Sequence, residues 1–271
     1  MQISALRQKI KGETPGVPDT ILATQGLTKE FRGFVAVNGV DLTVRTGTIH
    51  ALIGPNGAGK TTCFNLLTKF LPPTRGTIHF KGQDITGLKP AAVARLGLIR
   101  SFQISAVFSH LTALENVRVA LQRARGGSFD FWRSDRRLRL YDDRARALLD
   151  DVGLDGWAGA TAGEMPYGRK RALEIATTLA LDPKMLLLDE PMAGMGHEDI
   201  DRIAALIKRV AVGRTVLMVE HNLSVVASLC DAITVLTRGK VLAEGDYATV
   251  SANPAVQEAY LGASIEAGGH G

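Results

Sequence analysis

The sequence predicts an α/β fold in which helices cover both faces of a mostly parallel β-sheet. Short apolar runs of strand length recur along the chain and alternate with segments of helical periodicity, which is the pattern of such folds. Residues 106–180 interrupt the alternation with a long helical stretch, so we expect a helical insertion into the α/β core. The predicted core strands are IHALIG (49–54), KMLLLDE (184–190), TVLMVE (215–220) and AITVLTRG (232–239).

The elements outside these strands follow from local patterns. Period-two alternation predicts strands, apolar residues at helical spacing predict helices, and paired prolines end a helix. The polar first twenty residues, interrupted by Gly and Pro, predict a flexible extension. Strands are expected over ILATQGLTKEF (21–31) and FVAVNGVDLTV (34–44), a helix over TTCFNLLTKFL (61–71) stopped by Pro72 and Pro73, a strand–turn–strand over GTIHFKGQDI (76–85), and helices over ALENVRVALQRA (113–124) and RRLRLYDDRARALLDDVGL (136–154).

These elements predict one main domain over residues 21–262. Its core and β subdomain comprise residues 21–104 and 181–245, and the helical subdomain over residues 105–180 is inserted between them. Residues 1–20 form the N-terminal extension, and residues 246–271 form a C-terminal tail.

The composition is that of an ordinary globular protein, with 45% apolar and 22% charged residues among 271. The formal net charge is +5, and four arginines cluster at positions 133, 136, 137 and 139. Such a cluster is usually a solvated helix face, and less often a contact for an anionic partner or a membrane surface. The two cysteines lack metal-ligand spacing and favour a reducing compartment.

The sequence contains no signal for membrane insertion. The first twenty residues lack the apolar stretch of a signal peptide, and no run of about 18 apolar residues occurs. If the protein works at a membrane, another chain must supply the membrane-spanning segments.

The segment GPNGAGKT (54–61) predicts a phosphate-binding loop, called the phosphate loop below. It follows a predicted strand and opens a predicted helix, so its main-chain amides form an anion-binding nest. Lys60 provides a charge for the β- and γ-phosphates, Thr61 a hydroxyl for Mg²⁺, and Thr62 a contact to a phosphate oxygen. The predicted ATP-binding residues here are Gly54, Pro55, Asn56, Gly57, Ala58, Gly59, Lys60, Thr61 and Thr62.

The segment MLLLDEP (185–191) predicts the acidic half of the same site. Asp189 ends an apolar strand, where a carboxylate can bind Mg²⁺, and Glu190 is placed to orient and deprotonate water. His221 follows another apolar strand, and Gln103 lies in RSFQIS. Neither of these last two is a strong signal alone.

The ordered set of Phe31, GPNGAGKT, Gln103, MPYGR (165–169), MLLLDEP, AGMG (193–196) and His221 resembles the ATP-binding cassette (ABC) ATPases over about residues 20–262. The resemblance implies a P-loop NTPase with a RecA-like sheet, an antiparallel β subdomain and a helical signature subdomain. It implies that Phe31 stacks on adenine, Gln103 senses Mg²⁺ and water, Glu190 is the catalytic base and His221 contacts the γ-phosphate. The signature loop, Met165, Pro166, Tyr167, Gly168 and Arg169, then faces ATP bound to an opposing subunit.

FQISAVFSHLTALENV, PYGRKRALEIA, DEPMAGM, VEHNLSVV and NPAVQEAYLG look like the larger ATPase of branched-chain amino-acid importers and their urea and amide relatives. This resemblance implies two transmembrane permease subunits, a second and different ABC ATPase, and indirectly a periplasmic solute-binding protein. It places the chain at the cytoplasmic face of the inner membrane as a peripheral protein, with ATP and Mg²⁺ as cofactors and no nucleic-acid partner. The solute stays open, as do the alternatives of a homodimeric lipid-export ATPase and a non-transport ABC ATPase.

Two positions depart from the family pattern. Pro166 stands where the signature LSGGQ has Ser, so a hydroxyl and an N–H are missing, and Arg169 offers a charge in place of Gln. Gly196 stands where Asp or Asn usually bridges the two subunits. We therefore expect an asymmetric pair, in which this chain's own ATP is hydrolysed against the partner's signature loop.

Overall fold

The computed structural model describes residues 19–101, 107–124 and 141–267, the last seven as backbone only. Gln103, the arginine cluster at 133–139 and residues 1–18 of the predicted N-terminal extension lie outside these residues. Among the helices in the described ranges, we find none with the length and apolar character needed to span a bilayer.

The centre of the fold is a six-stranded sheet, and its parallel strands are buried on both faces. Three of its central strands, β4 (Ile49–Ile53), β8 (Met185–Asp189) and β9 (Thr215–Val219), are almost continuously apolar and buried, as expected for a covered parallel sheet. The strand order is β11-β10-β4-β9-β8-β7, and only the β10–β11 pair is antiparallel. The remaining strands of the sheet are β7 (Leu98–Ser101), β10 (Ala232–Thr237) and β11 (Lys240–Gly245).

A second, antiparallel sheet forms the predicted β subdomain. Its long strand β1 (Thr20–Phe31) pairs with β2 (Phe34–Val40), β3 (Thr43–Arg45) and β5 (Arg75–Phe80). A two-residue strand, β6 (Gln83–Asp84), pairs with β5. The apolar faces of these strands pack with one face of the central sheet in a shared core.

Helices complete both layers. Helix α1 (Lys60–Leu67) joins the core beneath the β subdomain, whereas the helices of the insertion and of the C-terminal half pack on the opposite face of the central sheet. Alternate residues of a strand therefore point into different cores. Leu186 and Leu188 of β8 face the core with the insertion helices, and Leu187 faces the core with the β subdomain. The other helices are α2 (Pro90–Arg95), α3 (Ala113–Ala124), α4 (Asp142–Asp151), α5 (Tyr167–Leu179), α6 (His197–Val210), α7 (Leu223–Leu229), α8 (Tyr247–Ser251) and α9 (Pro254–Ala267).

The predicted helix over residues 61–71 ends earlier than expected, at Leu67. Lys69 has a left-handed φ of +65°, which a helix cannot continue through, so the chain turns before it reaches Pro72 and Pro73. The sequence patterns also missed α2, β7 and β11, all of which are short.

The C-terminal segment is part of the folded domain rather than a detached tail. Val250 of α8 and Val256 of α9 are buried in the same core as the central sheet. Both residues lie within the predicted main domain over residues 21–262, and the domain boundaries themselves stay predictions.

Candidate functional site

The predicted site residues come together because they follow parallel strands. The carboxyl ends of such strands lie at one edge of the sheet, where α/β proteins bind their ligands. Asp189 is in register with Val219, and Ser101 with Leu188, so the ends of β7, β8 and β9 align. Strand β4 pairs with β9 and leads directly into the phosphate loop at the same edge.

The phosphate loop needs glycine at two positions because a different main-chain oxygen lies too close for a side chain at each. A Cβ on Gly54 would lie 2.1 Å from the carbonyl oxygen of Leu236, and one on Gly59 would lie 2.5 Å from that of Ala36. A Cβ on Gly57 would meet no described atom within 4 Å, so what this position shows is the constraint of its positive φ of +76°. The loop is thus pressed between β10 and β2, and its exposed part, Asn56 and Gly57, is left for a ligand.

The Lys60 side chain lies folded over this loop. Its Nζ donates hydrogen bonds to the carbonyl oxygens of Gly54 and Pro55, at 2.7 and 2.9 Å. Burial lowers the pKa of the ammonium, and the negative charges of Glu190 and Asp189 partly offset that effect. The predicted phosphate-binding cation and both predicted carboxylates therefore share one electrostatic environment.

The start of α1 provides the amides of the anion nest. The first-turn N–H groups of a helix lack intrahelical acceptors, and Lys60, Thr61 and Thr62 occupy that turn. Gly59 before them is left-handed, with φ +98°. Thr61 is exposed, and Thr62 is half-buried. These positions fit the polyphosphate of a nucleotide.

Asp189 is held by side chains that the sequence patterns did not identify. Its carboxylate accepts a hydrogen bond from Arg100, whose other terminal nitrogen donates to Asn65 Oδ1 at 2.6 Å. Arg100 comes from the end of β7 and Asn65 from α1. The predicted magnesium ligand is therefore tied to the strand beside it and to the helix of the phosphate loop.

The residues fit Mg²⁺ bound together with a nucleotide rather than an all-protein metal site. Among the described residues, no group of three or more His, Cys, Asp or Glu side chains could hold a metal ion. Mg²⁺ typically binds one or two carboxylates and completes its shell with phosphate oxygens and water. The Asp189 carboxylate and the Thr61 hydroxyl can supply the few protein ligands that Mg²⁺ needs when it is bound with a nucleotide.

Glu190 lies in a strained turn directly after β8. Its φ is +44°, a left-handed value that is uncommon for a residue other than glycine. Its N–H donates to the carbonyl oxygen of Val219 at 3.0 Å, and its own carbonyl accepts from the N–H of Ala193 at 3.1 Å. Strain of this kind collects at functional sites when the surrounding structure enforces it.

A second carboxylate, Glu220, lies close enough to Glu190 to interact electrostatically. It follows β9 directly and is fully buried, and within the described ranges neither of its carboxylate oxygens meets the geometric criteria for a hydrogen bond. Burial and then the charge of Glu190 raise its pKa to about 7, against the opposing effects of the His221 main-chain amide and Arg171. The signal that could have revealed it is the acid at the end of TVLMVE, which parallels that in MLLLDE.

We expect Glu220 to make stability depend on pH. Folding raises the pKa of Glu220 above its unfolded value near 4.5. Its contribution to the free energy of unfolding is therefore complete below pH 4.5 and is lost as the pH rises through 7. Between pH 5 and 8 the wild-type free energy of unfolding should fall by about 2–3 kcal/mol more than that of Glu220→Gln. Urea unfolding at both pH values measures this difference, with the exposed Glu244→Gln as control. Equal pH dependence in wild type and Glu220→Gln would contradict the expectation.

His221 lies at the start of the loop after β9 and is exposed, as a residue that meets a ligand must be. The next residue, Asn222, caps α7 through its side chain, which accepts from the N–H groups of Ser224 and Val225. The cap fixes the direction of the chain immediately after His221.

Phe31 ends β1 at the tip of the β1–β2 hairpin, opposite Phe34. The two rings are 41% and 68% exposed, which is unusual for phenylalanine and leaves both available to a planar ligand. The Lys29 ammonium lies 5.1 Å from the Phe31 ring centroid. Strand β2 of the same hairpin contacts the phosphate loop at Gly59 through Ala36.

The signature loop begins α5. Pro166 is the N-cap residue and supplies no side-chain cap, while the hydroxyl of Tyr167 donates to the Ala193 carbonyl oxygen at 3.1 Å. A Cβ on Gly168 would lie 2.8 Å from a carboxylate oxygen of Asp199, so α5 and α6 approach closely here. Met165, the first residue of the loop, is buried.

The side chain of Arg169 is directed to its own subunit. Its guanidinium donates to the Gly153 carbonyl oxygen at 2.8 Å and lies over the Trp157 ring at 5.6 Å. Arg169, which the sequence offers as a charge in the signature loop, therefore makes these contacts within its own subunit.

The structure thus brings Gly54–Thr62, Asp189, Glu190 and His221 to one sheet edge, with Phe31 on the adjoining hairpin. The signature loop starts a separate helix of the insertion, and Gln103 lies outside the described residues. Sequence patterns missed the two side chains that hold Asp189, namely Asn65 and Arg100, and the buried ionisable residues nearby, Arg171, Glu174 and Glu220.

Known proteins are similar to this chain in sequence and in fold. A family model described as "ABC transporter" matches residues 37–193, and one described as "Branched-chain amino acid ATP-binding cassette transporter" matches residues 240–266. The second model covers β11 and the two C-terminal helices that complete the core.

The similarity extends over nearly the whole length of individual relatives. The high-affinity branched-chain amino acid transport ATP-binding protein BraF of Pseudomonas aeruginosa is 41% identical over 252 residues, which are 89% of this chain and 98% of BraF. LivG of Escherichia coli K12, with the same description, is 38% identical over 249 residues, with coverage of 89% and 98%. The ADP conformation of MJ1267, an ATP-binding cassette of an ABC transporter, has a TM-score of 0.78 at 30% identity, with coverage of 90% and 99%.

Proposed function

The chain belongs to the ABC transporter family of ATP-hydrolysing subunits, and on that premise we propose that it drives uptake of branched-chain amino acids or a similar polar solute. The observation that supports catalysis is the meeting of the phosphate loop with Asp189 and Glu190 at one sheet edge. The relatives named as branched-chain amino acid transport proteins support the solute class. Membrane permease subunits are its partners in transport.

In this proposal the phosphates of ATP bind the amides at the start of α1, and adenine stacks on the exposed ring of Phe31. Lys60 exchanges the Gly54 and Pro55 carbonyls for β- and γ-phosphate oxygens. Asp189 and Thr61 hold Mg²⁺, which neutralises phosphate charge when bound.

The chemical step transfers the γ-phosphoryl group to water, and the protein contributes position and charge rather than a covalent intermediate. Glu190 orients the water and accepts its proton. The strained turn after β8 fixes the main-chain position from which the Glu190 side chain extends. His221 contacts the γ-phosphate from the end of the neighbouring strand. Gln103 is assigned to sensing Mg²⁺ and water on the family pattern alone.

The signature loop supports pairing with a second, different ATPase. Pro166 has neither hydroxyl nor N–H, Gly196 offers no side chain at the start of α6, and Arg169 is bound within its own subunit. Losing one preorganised donor to a transition state typically costs about 10²–10³-fold in rate. The site completed by this loop is therefore the slow one, and the chain's own ATP turns over against the partner's signature loop.

The full assembly in this proposal contains this chain, the second ATPase, two permease subunits and a periplasmic solute-binding protein. The chain sits at the cytoplasmic face of the inner membrane, held there by the permeases.

Uptake into proteoliposomes that contain the complete transporter tests this function. We expect ATP-dependent accumulation of radiolabelled leucine, competed by valine and isoleucine but not by urea, and its loss when Lys60→Met replaces this chain. Displacement of leucine by urea or acetamide would assign a different solute. ATP hydrolysis that is independent of any of these solutes, with no accumulation, would overturn the importer proposal.

A further inference from the structure

A buried polar network connects α5 to the turn that carries Glu190. Arg171 donates to a carboxylate oxygen of Glu174 at 2.5 Å, and the other oxygen of Glu174 accepts from the Ser101 hydroxyl at 2.6 Å. The side chains of Arg171 and Glu174 are 5% and 1% exposed. Burying a charged group without partners is unfavourable, so the loss of any one of these contacts would leave a buried polar group uncompensated.

The guanidinium of Arg171 also binds three successive main-chain carbonyls. It donates to the oxygens of Asp189 at 2.9 Å, Glu190 at 3.4 Å and Pro191 at 3.3 Å. These carbonyls span the left-handed residue Glu190, from the last residue of β8 to the residue after the turn begins. The planar fork of arginine can reach several acceptors at once, which a lysine ammonium does less well.

We propose that Arg171 is a positioning residue for Glu190: its guanidinium, oriented by Glu174, holds the main chain of residues 189–191 so that the Glu190 carboxylate faces the phosphate loop. The inference rests on the proposed role of Glu190 as the base. Arg171 does not touch substrate in this role and acts only through the turn.

The position of Arg171 on α5 gives the network a second consequence. The helix begins with the signature loop at Pro166 and Tyr167, and Arg171 lies one turn further along it. In the paired assembly that loop faces the partner's nucleotide, whereas Arg171 holds this chain's own catalytic turn. A shift of α5 caused by the partner's nucleotide would therefore be passed through Arg171 to Glu190, the base for this chain's own nucleotide.

The test compares Arg171→Met with the triple variant Arg171→Met, Glu174→Met, Ser101→Ala. The single variant leaves the Glu174 charge buried without its cation, so it should lower the melting temperature. The triple variant removes the whole network, and apolar replacement of a buried ion pair is often neutral for stability. Arg118→Met, which breaks the Arg118–Asp142 ion pair between α3 and α4, controls for general destabilisation.

ATP turnover is measured in the complete transporter, and ATP affinity and amide hydrogen exchange in the full chain. We expect kcat to fall roughly 10–100-fold in both Arg171 variants, because small misplacement of a catalytic group has effects of about this size. KM and ATP affinity should stay within about twofold of wild type, since the phosphate loop is unchanged. The amides of Glu190 and Ala193 should exchange faster in both variants and not in Arg118→Met.

The outcomes separate this inference from the proposed function. If the triple variant regains both melting temperature and kcat, the network is merely structural and the positioning role is overturned. If Glu190→Gln in the same complex retains turnover, the assignment of the base fails whatever Arg171 does. If Glu190→Gln is inactive while the triple variant is active, only the inference about Arg171 fails.

Discussion

Replacing Glu190 with Gln should reduce ATP turnover by the complete transporter at least ~10²-fold while ATP binding persists, since general-base catalysis contributes about 10²–10⁴-fold. The substitution keeps the size of the side chain but removes its negative charge and, with it, its capacity to accept a proton. Lys60 and the amides at the start of α1, which bind the phosphates, are untouched. Steady-state phosphate release and equilibrium ATP binding, measured on the same preparation, check the two halves of this expectation.

The matched variant is Pro166→Ser, which restores the hydroxyl and N–H of the signature loop. Since that loop completes the partner's site, the change should leave turnover intact or raise it. Near-normal turnover in Glu190→Gln would contradict the asymmetric arrangement, because hydrolysis would then occur at the other site.

The same Glu190→Gln chain, isolated and given Mg-ATP, should keep the mass of a monomer in solution. A closed pair of identical chains would place Pro166 and Gly196 in both sites, where neither supplies the usual contact. A shift to the mass of a dimer would instead support a homodimeric arrangement of the export type.

The fold could be predicted from the sequence, and so could the placement of the phosphate loop and the acidic residues at one edge of the sheet. The apolar strands that lead into Gly54 and Glu190 align at one edge because the sheet is parallel, and the structure and the ABC relatives confirm that fold. The assignments of individual site residues stay predictions, because family membership does not test them residue by residue.

The parts that escaped prediction depend on pairing between distant segments. Arg171 and Glu174 look like ordinary polar residues of a helix, and only the packing of α5 against β7 and β8 brings them to Ser101 and Asp189. The position of the Arg169 side chain likewise cannot be predicted from sequence spacing, because it is set by tertiary contacts with Gly153 and Trp157. Spacing identifies residues that share a local motif, whereas buried networks arise from contacts between elements.

Substituting Gly54 with Ala should destabilise the protein by about 3 kcal/mol or more and weaken ATP binding at least ~10²-fold. Gly54 has φ +150°, a conformation that residues with a side chain rarely adopt, and its new methyl group would lie 2.1 Å from the Leu236 carbonyl oxygen. Leu236 belongs to β10, which pairs with β4, so relief requires the loop to move away from the sheet. That movement displaces the Gly54 carbonyl, which accepts from Lys60, and the amides that follow.

Gly57→Ala separates this steric effect from the cost of a positive φ alone. Gly57 has φ +76°, and none of the atoms that the structure describes lies within 4 Å of a new Cβ there, so we expect a cost of about 1–2 kcal/mol from conformational strain. Urea unfolding and calorimetric ATP binding on both variants give the comparison. If Gly54→Ala bound ATP as well as Gly57→Ala, the close approach of the phosphate loop to β10 could not be what shapes the nucleotide site. A large difference between the two would instead show that the sheet edge holds the loop in the conformation that ATP requires.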